Sequence, residues 1–143
     1  NIPSSITTIE EGLFSQCSNL KSVIIPSSVT SIGPFAFQEC SSIVNLIIPS
    51  SVKKIDKCAF SFCSSLTEIN IPSIATIEEG LFWKCSKLKK IKIPLSVSSI
   101  ENFAFKDCSE LKHVDIPSLT ISIKDDAFEG CTQIQRDSSC NIF

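Results

Sequence analysis

One segment recurs along almost the entire chain, and its spacing constrains the fold more than any other feature. Each copy begins with an Ile-Pro pair and continues with a Phe and then a Cys, and successive copies lie 23 residues apart, except for one step of 22 in the fourth copy. The pairs begin at Ile2, Ile25, Ile48, Ile71, Ile93 and Ile116. The Phe column comprises Phe14, Phe37, Phe60, Phe82, Phe105 and Phe128, and the Cys column comprises Cys17, Cys40, Cys63, Cys85, Cys108 and Cys131. Repeats of this length are typical of solenoids, in which each repeat forms one coil stacked on the next.

These markers divide the chain into one uninterrupted array. We predict repeats at 2–24, 25–47, 48–70, 71–92, 93–115 and 116–134, followed by a tail at 135–143. No low-complexity linker separates the repeats, so we expect a single array over the whole chain. The sequence contains no Met and opens at Asn1 directly before an Ile-Pro pair, which leads us to expect a fragment of a longer protein. The N-terminus lacks the basic and apolar segments of a signal peptide.

The composition is typical of a folded soluble protein and argues against two classes of partner. Apolar residues make up 43% of the chain and charged residues 20%, as in ordinary globular proteins. The net charge of -2 provides no attraction to nucleic acid or to anionic membranes. No apolar run approaches the ~20 residues of a membrane span. We therefore expect no nucleic-acid partner and no membrane insertion in this chain.

Each repeat changes its local pattern once. Alternating β-branched residues precede every Ile-Pro pair, and this alternation predicts a half-buried strand that the Pro ends, because Pro has no N–H to donate. After an extended stretch, Ala-Phe or Leu-Phe followed three residues later by Cys predicts one tight helical turn. The predicted strands are Leu20–Ile25, Ile43–Ile48, Leu66–Ile71, Leu88–Ile93 and Leu111–Ile116. Stacking these five segments predicts a parallel sheet.

The strand pattern Leu-x-x-Val-x-Ile resembles that of leucine-rich repeats. With Ile-Pro-Ser-Ser-Val, Ala-Phe and Cys-Ser-x-Leu at their recurring positions, nearly the entire chain resembles the BspA-like subfamily, which is related to the Treponema-type repeats. The resemblance implies a right-handed α/β solenoid of about six coils of 22–23 residues. It implies a parallel sheet on the concave side and short helical turns opposite. It also implies a surface antigen of bacteria or parasitic protists that binds other proteins and has no catalytic role.

The sequence departs from ordinary leucine-rich repeats in the turn after the strand, where those repeats carry Asn. Here the approximate equivalents are Ser5, Ser28, Ser51 and Ser96. A Ser hydroxyl can still bond the turn backbone, although more weakly. In repeats four and six, Ile74 and Leu119 stand near this point, so the pattern leaves the structure of those two turns open.

The eight cysteines allow a disulfide scaffold, a metal site or free buried thiols. We favour free thiols for the Cys column, because equivalent side chains on adjacent coils lie about 4.8 Å apart, whereas bonded cysteines bring their Cβ atoms to about 3.8 Å. Zinc needs ligands that converge on one point, and a linear column spreads them out. Cys58 and Cys140 lie outside the column and are candidates for reaction or pairing.

The sequence offers little for catalysis. The single histidine, His113, is expected to face solvent on the concave side, and no nucleophile stands close to it in the pattern. The four glycines are too far apart to form a phosphate-binding loop. We therefore expect no catalytic, cofactor-binding or metal-binding residues, no cofactor, and a protein that is not an enzyme.

The outward positions of the predicted strands form a candidate partner surface. Two columns point away from the core: Ser22, Asn45, Glu68, Lys90 and His113, and beside them Ile24, Ile47, Asn70, Lys92 and Asp115. Two adjacent outward isoleucines are costly on an open sheet unless something covers them. We hypothesise a protein-binding site centred on Ile24 and Ile47 that extends over Ser22, Asn45, Asn70, Glu68, Lys90 and Lys92. The alternatives are cover by repeats upstream and simple tolerance of exposed apolar residues.

Two further groups of side chains allow alternatives. The fourth repeat carries Lys84, Lys87, Lys89, Lys90 and Lys92, and we favour a solvated ladder partly paired with Glu68 and Asp115 over a polyanion site. Phe62 and Trp83 are expected to stack as neighbours. We favour their covering the lateral edge of the solenoid over their anchoring a partner.

Function and location remain open between two hypotheses at this stage. The resemblance favours a cell-surface or secreted module for adhesion or recognition, with a host extracellular-matrix or surface protein as its ligand. The free thiols and the missing signal peptide also permit an intracellular interaction scaffold. The last repeat decays, with Asp137 at an apolar strand position, and the first repeat has no cap. Uncapped solenoid ends expose core, which predicts either truncation from a longer array or end-to-end self-association.

Overall fold

The chain winds into a β-solenoid of about five turns. The computed structural model describes residues 1–117 and 121–135, so the interpretations of Leu119, Asp137 and Cys140 lie outside the described residues. Ten short strands occur in the described part: β1 (Thr8–Ile9), β2 (Ser31–Ile32), β3 (Asn45–Leu46), β4 (Lys54–Ile55), β5 (Glu68–Ile69), β6 (Thr76–Ile77), β7 (Lys90–Lys92), β8 (Ser99–Ile100), β9 (His113–Asp115) and β10 (Ser122–Ile123).

The strands form parallel ladders along two sides of each coil. On one side β3 pairs with β5 and β7 pairs with β9, and these four strands confirm the predicted strand segments from the second to the fifth. The first predicted segment, Leu20–Ile25, forms no strand. On the other side β1, β2 and β4 form one sheet and β6, β8 and β10 form another. For this part of each repeat, between the Pro and the Phe, the sequence predicted an extended stretch without strand pairing. The structure adds ladders in which Ile9, Ile32 and their equivalents face the core.

The predicted helical turns are not confirmed, because the described residues contain no helix. The Phe–Cys segments form consecutive turns instead. In the first coil Gly12 and Gln16 have φ values of 63° and 61°, and a helix requires φ near -60° at every residue. The N–H groups alternate in direction as a result: Phe14 donates to the Ala36 carbonyl of the next coil at 2.8 Å, and Cys17 donates back to the Phe14 carbonyl at 3.1 Å. The turns therefore hold coils together as a strand ladder does.

The missing residue of the fourth repeat is absorbed in the turn that follows its Pro. The N–H of Val29 bonds the carbonyl of Pro26, three residues back, whereas the N–H of Ile74 bonds the carbonyl of Pro72, two residues back. Ile74 is 2% exposed. It is therefore the core counterpart of the valines in the other repeats, and not the replacement of a turn serine. Both ladders are interrupted at this coil, between β4 and β6 and between β5 and β7.

The turn serines bind the neighbouring coil. Ser28 Oγ donates to the Ile6 carbonyl and Ser96 Oγ donates to the Ile74 carbonyl, each at 2.7 Å. These bonds connect adjacent coils, whereas the sequence suggested bonds within one turn. The equivalent Ser51 Oγ is buried and has no hydrogen-bond partner within the described residues.

Two columns fill the core. The rings of the Phe column stack nearly parallel, with centroids 5.0–5.8 Å apart. Each thiol after the first donates to a Phe carbonyl one coil back, at 3.0–3.2 Å. Four of the six column thiols are buried and all six are free, which confirms the favoured interpretation. Burial raises the pKa of Cys40 to about 11 and that of Cys85 to about 12, so these thiols stay protonated donors.

Candidate functional site

A groove of about 610 Å³ runs across the outward face of β3, β5, β7 and β9. We call it the strand groove. Outward residues and the core-facing residues that alternate with them along the strands both contribute atoms to its lining. The lining comprises Asn45, Leu46, Ile47, Glu68, Ile69, Asn70, Lys90, Ile91, Lys92, His113 and Asp115.

The structure brings together six of the eight predicted site residues in this groove: Ile47, Asn45, Asn70, Glu68, Lys90 and Lys92. Ser22 and Ile24 belong to the coil before β3 and line a separate cavity of about 280 Å³ in the first coil. His113 and Asp115 extend the groove beyond the predicted site. The same two-residue alternation that placed Lys90 and Lys92 on this face could have included them. The core-facing Leu46, Ile69 and Ile91 also contribute to the lining, which the sequence did not lead us to expect.

The two isoleucines at the apolar end are exposed as predicted. Ile24 is 75% exposed and Ile47 is 78% exposed, whereas the flanking Leu46 and Ile48 are buried. The alternation along the strand explains the contrast, because β3 turns Leu46 inward and leaves the next side chain in solvent. Single exposed apolar side chains are normal on protein surfaces, so the interest of these two lies in their equivalent positions on successive coils.

Asn70 has a structural role that the sequence did not reveal. Its side-chain amide donates to the Ile48 carbonyl at 3.0 Å, and its Oδ1 accepts from the Ile48 N–H at 3.2 Å. In the last pair of strands the equivalent bond is made by the backbone, since the Ile93 N–H donates to the Asp115 carbonyl at 2.9 Å. The Asn70 amide therefore replaces a ladder contact, and both of its polar atoms are already bonded.

The lysines of the fourth repeat are less paired than the sequence predicts. Lys90 Nζ lies 3.2 Å from Glu68 Oε1, as expected from the register. Lys92 and Asp115 are backbone neighbours in the β7–β9 pair, yet the described residues contain no ion pair between their side chains within 4.0 Å. The predicted charge ladder is thus confirmed at one of its two contacts.

An aromatic cluster covers a different side of the coils. The rings of Phe62 and Trp83 are neighbours as predicted, with centroids 5.2 Å apart, but they are tilted by 55° and do not stack, and Phe103 follows 6.5 Å from Trp83. Lys84 Nζ lies 5.3 Å from the Phe62 ring centroid, and Trp83 Nε1 donates to Asp107 Oδ2 at 3.4 Å. All three rings are half-buried. These mutual contacts support the interpretation of lateral edge cover.

The remaining groups provide no convergent chemistry in the described part of the chain. His113 is exposed in the strand groove. No cluster of three or more His, Cys, Asp or Glu side chains is placed to bind a metal ion within residues 1–117 and 121–135. The same residues include no helix with the length and apolar character of a membrane span.

Comparison with known families identifies the coils. The family model described as the BspA type leucine-rich repeat region, in six copies, matches residues 1–94 and 75–139. The chain belongs to this family. The resemblance inferred from the Ile-Pro, Phe and Cys columns is therefore confirmed. No curated protein sequence matches the chain.

Solved bacterial structures share the fold. A leucine-rich repeat protein of T. pallidum is 34% identical, with a TM-score of 0.84 over 93% of this chain and 65% of that chain. One from Bacteroides ovatus is 37% identical, with a TM-score of 0.79 over 82% of this chain and 30% of that chain. A leucine-rich cell surface protein from Faecalibacterium prausnitzii is 26% identical, with a TM-score of 0.66 over 93% and 51%. The chain thus spans between 30% and 65% of the length of these proteins.

Proposed function

We propose that this chain is a non-enzymatic protein-binding module of a cell-surface protein, and that it recognises its partner through the strand groove. Membership of the BspA-type family supports the binding role. The similar protein from Faecalibacterium prausnitzii, whose description names it a cell surface protein, supports the location. A host extracellular-matrix or surface protein is the partner class that fits adhesion.

The exposed isoleucines carry this proposal. Ile24 and Ile47 stand on successive coils and are each more than 70% exposed; Ile47 lines the strand groove, and Ile24 lines the cavity of the coil before it. Covering one such side chain is worth roughly 1.5–3 kcal/mol. At protein interfaces a few buried groups supply most of the affinity, and we assign that role here to these two neighbouring apolar side chains.

A binding screen with two variants tests the proposal. The purified chain is screened against immobilised extracellular-matrix and host-surface proteins, beside the double variant Ile24→Asp, Ile47→Asp. The control is Leu95→Asp, since Leu95 is 84% exposed and does not line the groove. We expect the double variant to lose binding by at least about 100-fold, equivalent to ~3 kcal/mol, and the control to bind normally.

The three variants separate the possible results. Equal binding by wild type and the double variant, with a circular dichroism spectrum that shows both are folded, would remove the groove from the proposal. Loss of binding by Leu95→Asp as well would indicate that any new surface charge abolishes the interaction. In that case the isoleucines would have no special role.

A further inference from the structure

We infer that the strand groove accepts an extended peptide segment in which an apolar side chain is followed, a few residues later, by an acidic one. This inference rests on the proposed function and specifies the chemistry of the partner. It follows from a change of side-chain character between the second coil and the fourth and fifth coils, from lysines there that form no ion pair with any described residue, and from the distance between these coils.

The side chains change character between the second coil and the later ones in two neighbouring columns. Along the groove, Ile47 and Asn70 are followed by Lys92 and then Asp115. The second column comprises Lys21, Val44, Thr67, Lys89 and Lys112, and the backbones of its last four members are linked by hydrogen bonds from one coil to the next. The exposed apolar Val44 and Ile47 of the second coil thus precede Lys89, Lys92 and Lys112 of the fourth and fifth coils.

Three lysines at this end form no ion pair with the described part of the chain, although Asp115 lies beside Lys92 in the β7–β9 register. Lys89 and Lys112 are direct neighbours, because the Lys112 N–H donates to the Lys89 carbonyl at 2.9 Å. Both are exposed, as is Lys92, and within residues 1–117 and 121–135 none of the three forms an ion pair. Like charges side by side on a sheet repel each other. A carboxylate placed between them would replace this repulsion with attraction.

The dimensions favour a short stretch of extended chain. The coil of Ile47 and the coil of Lys92 are two steps apart, or about 10 Å at the usual strand spacing. An extended peptide advances about 3.3 Å per residue and presents every second side chain to one face. The acidic residue is therefore expected about two to four positions from the apolar one.

The mixed composition selects a peptide over other anionic polymers. Nucleic acids and sulfated glycans carry negative charge at every unit, and they need cations along the whole groove. The second coil exposes Val44 at 45% and Ile47 at 78%. A protein segment can place an apolar and an acidic side chain at the two ends of this site.

A random peptide library provides an unbiased test. Twelve-residue peptides displayed on phage are selected on the whole chain, and enriched peptides are synthesised and measured by fluorescence polarisation. We expect them to combine acidic and apolar residues at the spacing above. The double variant Lys89→Glu, Lys92→Glu should bind at least about tenfold more weakly. An exposed ion pair contributes up to about fivefold in affinity, and the introduced carboxylates lie beside Lys112 and repel the peptide.

The matched control is Lys53→Glu with Lys57→Glu, which changes the net charge by the same amount at two exposed lysines outside the groove. We expect this control to retain affinity within about twofold. Peptides that lose affinity with Ile47→Asp but not with the lysine variant would refute this inference and leave the proposed function standing. Peptides whose affinity is unchanged by Ile47→Asp and by the lysine variant would refute both this inference and the proposed function. A selection that enriches no peptide would refute this inference.

Discussion

Replacing one ring of the Phe column tests whether the stacked core sustains the solenoid. Phe60 is 1% exposed, and its ring lies between those of Phe37 and Phe82 at 5.5 Å and 5.8 Å. Removing a buried Phe side chain costs about 3–5 kcal/mol, and each lost ring pair adds to that about 0.5–1.5 kcal/mol. We expect Phe60→Ala to lower the free energy of unfolding by at least about 4 kcal/mol.

Phe14→Ala is the matched control in the same column. Phe14 is half-buried and stacks on one ring, that of Phe37 at 5.1 Å. Because Phe14 contacts one ring and is less buried, we expect Phe14→Ala to lower the free energy of unfolding about half as much as Phe60→Ala does.

Urea unfolding followed by fluorescence measures both variants. Trp83, the single tryptophan of the chain, packs against Phe62 in the structured part of the solenoid and reports its loss. A cost below about 2 kcal/mol for Phe60→Ala would refute the reasoning. An equal loss of stability for Phe60→Ala and Phe14→Ala would also refute the reasoning. It would show that the stabilisation by a ring of the Phe column does not depend on its burial or on the number of rings it contacts.

Three further predictions follow from individual contacts. Burial, together with the nearby Asp56 and Glu101, raises the pKa of Glu78. The contribution of the Glu78 carboxyl group to stability is therefore largest at acidic pH, and it is lost as the pH rises through the folded-state pKa. Glu78→Gln should therefore unfold at higher urea than wild type at pH 7, an advantage that disappears below the ordinary carboxyl pKa of 4.5. Iodoacetamide should modify exposed Cys17 quickly and leave Cys85, whose pKa is about 12, unmodified until the chain unfolds, as mass spectrometry would show. Gly80→Ala should cost about 1–3 kcal/mol in urea unfolding, because the added Cβ would lie 2.8 Å from Cys58 Sγ, and a Cys58→Ala background should reduce that cost.

The features predicted from the sequence are those that recur in every coil. A column repeated at one spacing must point the same way in each coil, so the burial of Phe60 or Cys63 and the exposure of Ile47 follow from the period and from strand alternation. The predicted strand face and most of its groove residues followed from the same argument.

The errors arose where backbone conformation decides the structure. Apolar residues three apart fit a helical turn, but they fit consecutive turns equally well. The residue types at Phe35 and Phe62 do not predict the left-handed backbone found there, with φ values of 56° and 60°. Their large side chains disfavour that conformation in isolation. The coil-to-coil hydrogen bonds described above hold it in place, and such contacts are invisible in a single repeat.

Structural features that occur in only one repeat also could not be predicted from the sequence. Asn70 looked like a rim contact, because outward polar residues usually remain free to bind, but its amide completes the backbone of a neighbouring coil. Ile74 looked like a substituted turn residue, because one deleted residue shifts the alignment by one position. The hydrogen bond to Pro72 settles which register the chain adopts.

The central claim is that the strand groove, and not the aromatic edge, binds the partner. The most direct measurement compares the affinity of one identified ligand for two folded variants, Ile47→Asp in the groove and Trp83→Ser on the edge. We predict a loss of at least about tenfold for Ile47→Asp, from ~1.5 kcal/mol or more of lost burial, and an unchanged affinity for Trp83→Ser. Unchanged affinity for Ile47→Asp together with a loss for Trp83→Ser would contradict the account and place the binding surface on the aromatic edge.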